Sequence, residues 1–244
     1  MSRPRQLILL LLLISGLHPN PGPSRLQSES NFNILQININ GLQNSVAELS
    51  VFLVKHSIKV ACIQETKLSA RSKTSTFPGF ALVRKDRPAG RGGGLIILIH
   101  DSISFHNIDV TQFGQQDQST EILAICADIG GVQLDIFNIY MPPASALANF
   151  NPDFSALFDL PNNDSLFFGD FNAHHSDWCA SLDDNRGASL VAAIDNVDLC
   201  ILNSDSPTRI PSAANQSPSS PDVTIASAHL VPSLTWETLT TLNS

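Results

Sequence analysis

Apolar residues in this sequence occur in short runs that polar or glycine-containing turns separate. Runs of about four to eight residues with such boundaries predict β-strands. The predicted strands are Asn33–Ile39, Val60–Gln64, Phe80–Arg84, Leu95–Ile99, Glu121–Asp128, Val132–Tyr140, Leu166–Phe168 and Asp222–Ala226. Gly130 and Gly131 separate two of these runs, and a glycine turn of this length predicts a β-hairpin.

Two segments have apolar residues at helical spacing instead. They predict a helix over Ser45–Lys55, with Ser45 as its N-cap, and a second helix over Ala188–Asn196. Strands that alternate with hairpins and a few helices predict an α/β sandwich of packed sheets. No glycine-rich dinucleotide fingerprint follows a predicted strand and no P-loop is present, so a doubly wound nucleotide-binding fold is not expected.

Residues 1–25 differ from the rest of the sequence. Arg3 and Arg5 precede the apolar run Leu7–Ile14, and a basic start with a short apolar stretch is typical of a secretory signal peptide. The run is too short to cross a bilayer as a helix, so no stable membrane span is expected. We therefore expect residues 1–25 to be a leader outside the fold and the globular domain to cover residues 31–244.

A second interpretation of the leader comes from its proline-rich end. Leu-Leu-Leu-Ile-Ser-Gly followed by Asn-Pro-Gly-Pro resembles the ribosome-skipping peptides of the viral 2A type, in which the chain separates before the last proline. The junction here would be Gly22–Pro23. Leu17 and His18 replace the acidic residues that usually precede it, which argues against efficient skipping. A working signal and a relic skipping peptide both remain open.

Composition limits the classes of protein that remain. The chain has 244 residues, 43% of them apolar, which suffices for one domain with its own core and excludes a disordered chain. The net charge of −8 argues against a basic nucleic-acid surface, so a divalent metal would supply much of the positive charge at any phosphodiester site. The cysteines show no paired spacing, and buried free thiols are expected at Cys62, Cys126, Cys179 and Cys200.

Polar residues that can carry chemistry cluster where predicted strands end or begin. The clusters are Asn38–Leu42, Gln64–Thr66, Asn138–Pro143, Gly169–His174 and Ser220–Asp222. Turn or capping residues are the favoured explanation of each cluster when it is taken alone. Because loops at strand ends can bring such side chains together, the clusters in this order predict one common site.

These motifs resemble the endonuclease/exonuclease/phosphatase superfamily, and more narrowly the apurinic-type endonuclease domain of non-LTR retrotransposons. The resemblance rests on Leu-Gln-Ile-Asn-Ile-Asn-Gly-Leu (35–42), Cys-Ile-Gln-Glu-Thr (62–66), Gly-Gly-Gly (92–94), Ile-Tyr-Met-Pro-Pro (139–143), Gly-Asp-Phe-Asn-Ala-His-His (169–175), Arg-Gly (186–187), Ser-Pro-Thr (206–208) and Ser-Pro-Asp-Val-Thr (220–224). It implies a deoxyribonuclease-like fold, a four-layer α/β sandwich of two packed mixed sheets.

The resemblance also implies roles for individual residues. Glu65 is the implied metal carboxylate, assisted by Asn38, with Mg²⁺ as the cofactor and Mn²⁺ as the alternative. Asp170 is implied to orient or deprotonate the attacking water. Asn172 is implied to hydrogen-bond the phosphate oxygens, and Tyr140 to donate its hydroxyl to the same phosphate.

Three further positions complete the implied site. Asp222 is implied to hold a catalytic histidine in the correct tautomer. Asn40, at a position that repair relatives often fill with Asp, and His174 are candidates for support of the phosphate. For His174 and His175 a surface or supporting role is favoured over metal ligation.

The sequence departs from the family pattern after Asp222. The family's last motif is Ser-Asp-His followed by a short apolar strand, and the sequence reaches Ser244 at the position of that serine. We therefore expect the last strand and the catalytic histidine to be missing, and the chain to be weakly active or inactive. The downstream reverse transcriptase domain, which the resemblance implies for a whole element, is likewise expected to be missing from this chain.

The implied function is metal-dependent nicking of double-stranded DNA to prime retrotransposon insertion, in the nucleus or cytoplasm. One alternative is a secreted deoxyribonuclease-like phosphodiesterase, which fits a signal peptide and the glycosylation sequons at Asn163 and Asn215. Another is a non-catalytic pseudoenzyme remnant, which fits the missing histidine. Seven basic residues cluster in one third of the chain, where they form either a DNA-contacting face or ordinary solvated loops: Lys67, Arg71, Lys73, Arg84, Lys85, Arg87 and Arg91.

Overall fold

A computed structural model describes residues 9–14, 32–73, 75–87, 92–111, 113, 120–143, 152–178, 183–204, 206–210 and 217–239. Strands β1 to β12 of this part are Leu9–Ile14, Phe32–Asn38, Ile58–Gln64, Phe80–Lys85, Leu95–His100, Phe105–Asn107, Glu121–Ile129, Val132–Tyr140, Asp164–Asp170, Leu199–Ile201, Asp222–Ser227 and Leu234–Leu239. The α-helices α1 to α3 are Val46–Lys55, Phe154–Phe158 and Asn185–Ile194. Short 3-10 helices occupy Leu42–Asn44, Ser176–Trp178 and Ala228–Ser233.

The strands form two six-stranded mixed sheets. The first sheet has the order β12-β1-β2-β3-β5-β4 and the second the order β10-β11-β9-β8-β7-β6. One pair in each sheet is parallel, β2 with β3 and β8 with β9. The remaining pairs are antiparallel, including the predicted hairpin of β7 and β8 around Gly130 and Gly131.

Three apolar cores separate four layers. The core between the sheets includes Ile34, Val60, Ile97, Ile136 and Phe168. The outer face of the first sheet packs against α1 through Leu49, Phe52 and Leu53. The outer face of the second sheet packs against α2 and α3 through Phe154, Leu157 and Leu190. The order helix, sheet, sheet, helix confirms the predicted α/β sandwich.

The central strands are buried on both faces, which explains their continuous apolar sequences. In β3, Val60 and Cys62 belong to the core between the sheets, whereas Ala61 and Ile63 belong to the core beneath α1. Alternation of polar and apolar residues therefore disappears from such a strand. Burial also raises the pKa of the Cys62 thiol, which is free.

Several elements differ from the sequence-based prediction. The second predicted helix begins at Asn185 because Asp184 caps it by accepting a hydrogen bond from N of Gly187 at 2.6 Å. Ser45 occupies the N-cap of α1 but makes no capping hydrogen bond through its side chain. Strands β6, β10 and β12 and helix α2 were not predicted, so the strand at Asp222 is not the last one. Cys179 lies outside the described residues.

The apolar run near the N-terminus forms part of the first sheet. Strand β1 pairs antiparallel with both β2 and β12. An extended segment can satisfy the backbone groups of two strand edges at once, and this pairing corrects the expectation that residues 1–25 lie outside the fold. The junction Gly22–Pro23 lies outside the described residues, and the leader remains a prediction. No helix in the described ranges is long and apolar enough to cross a membrane.

Candidate active site

One edge of the sandwich collects the ends of four strands. In the first sheet β2 ends at Asn38, and β3 ends one residue before Glu65. In the second sheet β8 ends at Tyr140 and β9 at Asp170, and parallel pairing places these two residues side by side. Asp222 begins β11 directly opposite Asp170. The two sheets thus bring five predicted site residues to the same edge.

Asn38 joins the two sheets at this edge. Its Nδ2 donates to Oδ2 of Asp170 at 2.7 Å and to Oε1 of Glu65 at 3.2 Å. Its Oδ1 accepts a hydrogen bond from N of Asn40 at 3.1 Å. The carboxylates of Glu65 and Asp170 therefore lie on one side of the molecule and share a donor. Asn38, which was expected beside the metal carboxylate, lies there with its amide nitrogen towards both acidic groups.

Left-handed backbone conformations concentrate around these side chains. Five non-glycine residues of the described chain have positive φ, and four of them lie here, with φ from 45° to 54°: Asn40, Glu65, Lys67 and Asn172. Such conformations cost on the order of 1–3 kcal/mol each and persist only where surrounding contacts impose them. Backbone hydrogen bonds from Gly41 to Glu65 and from Lys67 to Gly93 supply such contacts.

Asn172 is bound to Asp170. Its backbone N and its Nδ2 donate to Oδ1 of Asp170 at 3.2 and 2.7 Å, and Nδ2 also donates to O of Met141 at 2.9 Å. Both hydrogens of this amide nitrogen are thereby used by protein acceptors. Asn172, which was predicted to hydrogen-bond the phosphate, therefore orients the Asp170 carboxylate in this structure.

A buried arginine that was not predicted supports the same loops. Nη1 of Arg186 donates at 2.9–3.2 Å to three carbonyl oxygens, those of Pro142, Phe171 and Asn172. It fixes the loops after β8 and β9 against each other. The adjacent Gly187 is required because a Cβ there would lie 2.0 Å from O of His174. The signal in the sequence was the Arg-Gly pair, to which no role had been assigned.

Tyr140 contacts the acidic cluster through its hydroxyl, which donates to the Glu65 carboxylate. Burial raises the pKa of Tyr140, and the charges of Glu65 and Asp170 raise it further. The phenol therefore stays protonated at neutral pH and keeps a hydrogen to donate. This is the property that its predicted role at a phosphate requires.

Asp170, which is buried, and Asp222, which is half-buried, are a neighbouring pair of acids. Burial raises the pKa of Asp222 to about 7, and the charge of Glu65 raises it as well, against the hydrogen bond from Thr208 Oγ1 at 2.8 Å. Burial likewise raises the pKa of Asp170, with a further contribution from the charge of Asp222. Asp222 was implied to hold a histidine. In the described part of the chain its side-chain partner is Thr208, which the motif contained without an assigned role.

His174 lies at the N-terminus of α3. Its Nδ1 is 3.0 Å from Oδ2 of Asp184, the residue that caps this helix. The ring of His175 packs against that of Trp178, with ring centroids 5.4 Å apart. His174, a predicted phosphate contact, therefore contacts the residue that caps α3.

Asn40 is linked to the site through Lys67. Nζ of Lys67 donates to Oδ1 of Asn40 and lies 3.4 Å from Oε2 of Glu65. The ammonium group thus offsets part of the carboxylate charge. The sequence placed Lys67 only in a set of basic loop residues. Three others of that set bind protein acceptors: Arg84 binds Asp86, Lys85 binds O of Ile122, and Arg87 binds Glu121.

The donor set fits a divalent cation that takes few protein ligands. Burial raises the pKa of Asp170 and Asp222, and the charge of Glu65 raises both further, so the three carboxyl groups lie close enough to interact. Mg²⁺ prefers oxygen ligands and usually takes one or two carboxylates together with water. Within the described ranges no group of three or more His, Cys, Asp and Glu side chains forms a metal cage. Glu65, with its partly exposed carboxylate, would hold the ion.

The sequence has known relatives among mobile elements. A family model described as endonuclease-reverse transcriptase matches residues 134–244. The probable RNA-directed DNA polymerase from transposon X-element of Drosophila melanogaster is 26% identical over 187 residues, 76% of this chain and 20% of the relative. The RNA-directed DNA polymerase from mobile element jockey of Drosophila funebris is 26% identical over 205 residues, 84% of this chain and 22% of the relative. The chain spans about a fifth of the length of these relatives.

Solved structures share the fold. The endonuclease domain of TRAS1, a telomere-specific non-LTR retrotransposon, superimposes with a TM-score of 0.61 at 19% identity, over 81% of this chain and 86% of that domain. The AP endonuclease LMAP from Leishmania major superimposes with a TM-score of 0.63 at 14% identity, over 82% of this chain and 80% of that enzyme.

Proposed function

The chain has the fold of the endonuclease/exonuclease/phosphatase superfamily and resembles its non-LTR retrotransposon branch, and we propose that it nicks DNA. The proposed reaction is hydrolysis of a phosphodiester bond with a divalent cation, Mg²⁺ or Mn²⁺, as cofactor. The observation that carries the proposal is the bridge from Asn38 to Glu65 and Asp170. It joins the implied metal carboxylate of one sheet to the implied base of the other.

Each residue of the cluster contributes a distinct property to this reaction. Glu65 would hold the cation, which would supply positive charge to stabilise the phosphate. Asp170 orients the attacking water and accepts its proton, and its raised pKa makes it a stronger base than an exposed carboxylate. Asn38 and Asn172 hold that carboxylate by both oxygens. Tyr140 has a protonated hydroxyl, whose hydrogen would turn from Glu65 to a phosphate oxygen when DNA binds.

The proposed substrate is double-stranded DNA, and the proposed context is insertion of a retrotransposon. The curated relatives carry the names of RNA-directed DNA polymerases, and this chain matches about a fifth of their length. A nick in genomic DNA would give such a polymerase a 3′ end to extend. The proposed place of action is therefore the nucleus.

The contact between Asp222 and Thr208 favours a second candidate function. A histidine held by Asp222 would supply acid–base help worth about 10²–10⁴ in rate, and the described residues place a threonine hydroxyl there instead. The second candidate is a folded domain that binds a divalent cation and DNA but hydrolyses DNA slowly.

Supercoiled plasmid DNA tests the first proposal. The chain should convert it to the nicked circle in Mg²⁺ or Mn²⁺ and not in EDTA. Glu65→Gln should abolish this conversion, whereas Glu48→Gln, in the first turn of helix α1, should leave it unchanged. Equal nicking by the parent and Glu65→Gln would refute the assignment. Cation-dependent DNA binding without nicking would support the second candidate.

A further inference from the structure

Arg87 lies over the ring of Tyr140. Its guanidinium carbon is 5.4 Å from the centroid of the ring, a distance at which a cation is attracted to the aromatic face. Arg87 follows β4, so a loop of the first sheet contacts a strand end of the second. The role implied for Tyr140 depends on where its hydroxyl points. The contact on its face therefore bears on that role.

Arg87 is itself held by Glu121. Nε and Nη2 of Arg87 both contact Oε1 of Glu121. Glu121 begins β7 directly opposite Tyr140, so its backbone position is fixed by the same strand pairing that positions the ring. The Glu121 side chain is only 9% exposed. The guanidinium is thus clamped between a buried carboxylate and an aromatic face.

The glycine motif at 92–94 completes this clamp. The backbone N of Gly94 donates to Oε2 of Glu121 at 2.6 Å, so both carboxylate oxygens have partners. At Gly93 a Cβ would lie 2.3 Å from Oε1 of Glu121 and 2.6 Å from Cζ of Arg87. The backbone must therefore approach the ion pair more closely than any side chain permits. The glycines are needed to close the loop over Arg87 and Glu121.

We propose that Arg87, held by Glu121 and the glycine loop, is a positioning residue that fixes the Tyr140 ring so that its hydroxyl faces Glu65. The inference rests on the proposed function and adds to it a residue that acts through Tyr140. The planar guanidinium suits this task because it can lie on a ring face and bind a carboxylate at the same time. A lysine has the charge but lacks this shape.

An ion pair that only stabilised the fold would lead to a different expectation. Its removal would weaken the domain and lower activity by the same factor whether or not the hydroxyl of Tyr140 is present. A positioning role makes the effect of Arg87 depend on that hydroxyl. A double-mutant cycle with Arg87→Met and Tyr140→Phe separates the two.

In the cycle, each single substitution should lower the nicking rate constant at saturating DNA by on the order of tenfold to a hundredfold. Arg87→Met should add less than about twofold in the Tyr140→Phe background, because no hydroxyl remains to be positioned. An Arg87→Met effect of equal size in both backgrounds would overturn the inference. The double variant Arg87→Met/Glu121→Gln leaves no unpaired buried carboxylate. When it replaces Arg87→Met in the cycle, its effect on the nicking rate should depend on the Tyr140 hydroxyl in the same way.

¹⁹F NMR tests the position of the Tyr140 ring without a measurement of nicking. Tyr140 is the only tyrosine in the sequence, so incorporation of 3-fluorotyrosine gives one ¹⁹F resonance. Arg87→Met and Arg87→Lys should shift and broaden this resonance. The control is Arg84→Met, which removes an arginine that binds Asp86 and should leave the resonance unchanged. An unchanged resonance in Arg87→Met would overturn the positioning role. Nicking that survives Glu65→Gln would instead count against the proposed function alone.

Discussion

Asp170 and Asp222 lie directly opposite each other on adjacent antiparallel strands, so two acidic side chains share one buried edge of the second sheet. Burial raises the pKa of Asp222 to about 7, far above the ordinary value of 3.8. The folded state therefore retains a proton between about pH 4 and pH 7 that the unfolded state releases. Folding stability from this group is greatest below that window and is lost as the pH rises through it.

Asp222→Asn should remove this pH dependence. In EDTA at pH 8 we expect the variant to have a free energy of unfolding about 2–4 kcal/mol higher than the parent. Near pH 4 the two should differ by less than about 1 kcal/mol, because the Asp222 carboxyl is then protonated in the folded state and about half protonated in the unfolded state. Urea unfolding at both pH values measures the difference. A difference of the same size at pH 4 and pH 8 would show that the ionisation of Asp222 is not its cause.

A divalent cation should stabilise the parent through Glu65. At a concentration about 100 times its dissociation constant, Mg²⁺ or Mn²⁺ should add about 2.7 kcal/mol to the free energy of unfolding. Glu65→Gln should lose this increment, because a neutral amide holds the ion poorly. Glu48→Gln is the matched control, since Glu48 lies in the first turn of α1. Thermal unfolding with and without the cation measures the stabilisation that the cation adds. Equal stabilisation of the parent and Glu65→Gln would place the ion elsewhere.

Eight of the twelve described strands and the fold family were predictable from the sequence because their signals are local. Val132–Tyr140 was predicted with its observed boundaries, and the glycine turn before it forms the expected hairpin. The resemblance to the retrotransposon endonucleases is confirmed by the family model, the mobile-element relatives and the shared fold. The clustering of Glu65 and Asp170 was also foreseen, because both follow or end strands that reach one edge.

The partners of the site residues were not predictable, because they depend on contacts between distant loops. Lys67 reaches Glu65 only when the loop adopts a left-handed backbone, and Arg186 acts on loops far from it in sequence. Thr208 contacts Asp222 through a turn that has no periodic pattern. Strand β1 was excluded because its apolar run fits a signal peptide as well as it fits a strand.

A buried amide pair between the sheets should be among the most sensitive positions in the core. Nε2 of Gln64 donates to Oδ1 of Asn138 at 2.7 Å, and Nδ2 of Asn138 donates to the carbonyls of Ile63 and Ile96 at 3.1 and 2.8 Å. Asn138→Leu leaves those carbonyls without this donor and leaves Nε2 of Gln64 with only its long contact to O of Cys62, at 3.4 Å, in a buried position. We expect a loss of about 2–4 kcal/mol in the free energy of unfolding, measured in urea.

The double variant Gln64→Leu/Asn138→Leu is the control for that prediction. Because it removes both amides together, its loss should be smaller than the sum of the two single losses. Strict additivity would mean that the two amides act independently, contrary to the hydrogen bond between them.

Gly93 and Gly92 separate the cost of backbone conformation from the cost of crowding. Both have positive φ, 69° and 85°, but a Cβ at Gly92 meets nothing within 4 Å, whereas one at Gly93 overlaps Glu121 and Arg87. Gly92→Ala should therefore lose only the backbone cost, about 1 kcal/mol. Gly93→Ala should lose a further 1–3 kcal/mol or so, because the ion pair must move. Urea unfolding of the two variants gives the comparison.

Since the displaced pair holds the Tyr140 ring, Gly93→Ala should also shift the ¹⁹F resonance of fluorotyrosine, and Gly92→Ala should not. Equal losses of stability in the two variants would mean that the loop yields without disturbing Arg87.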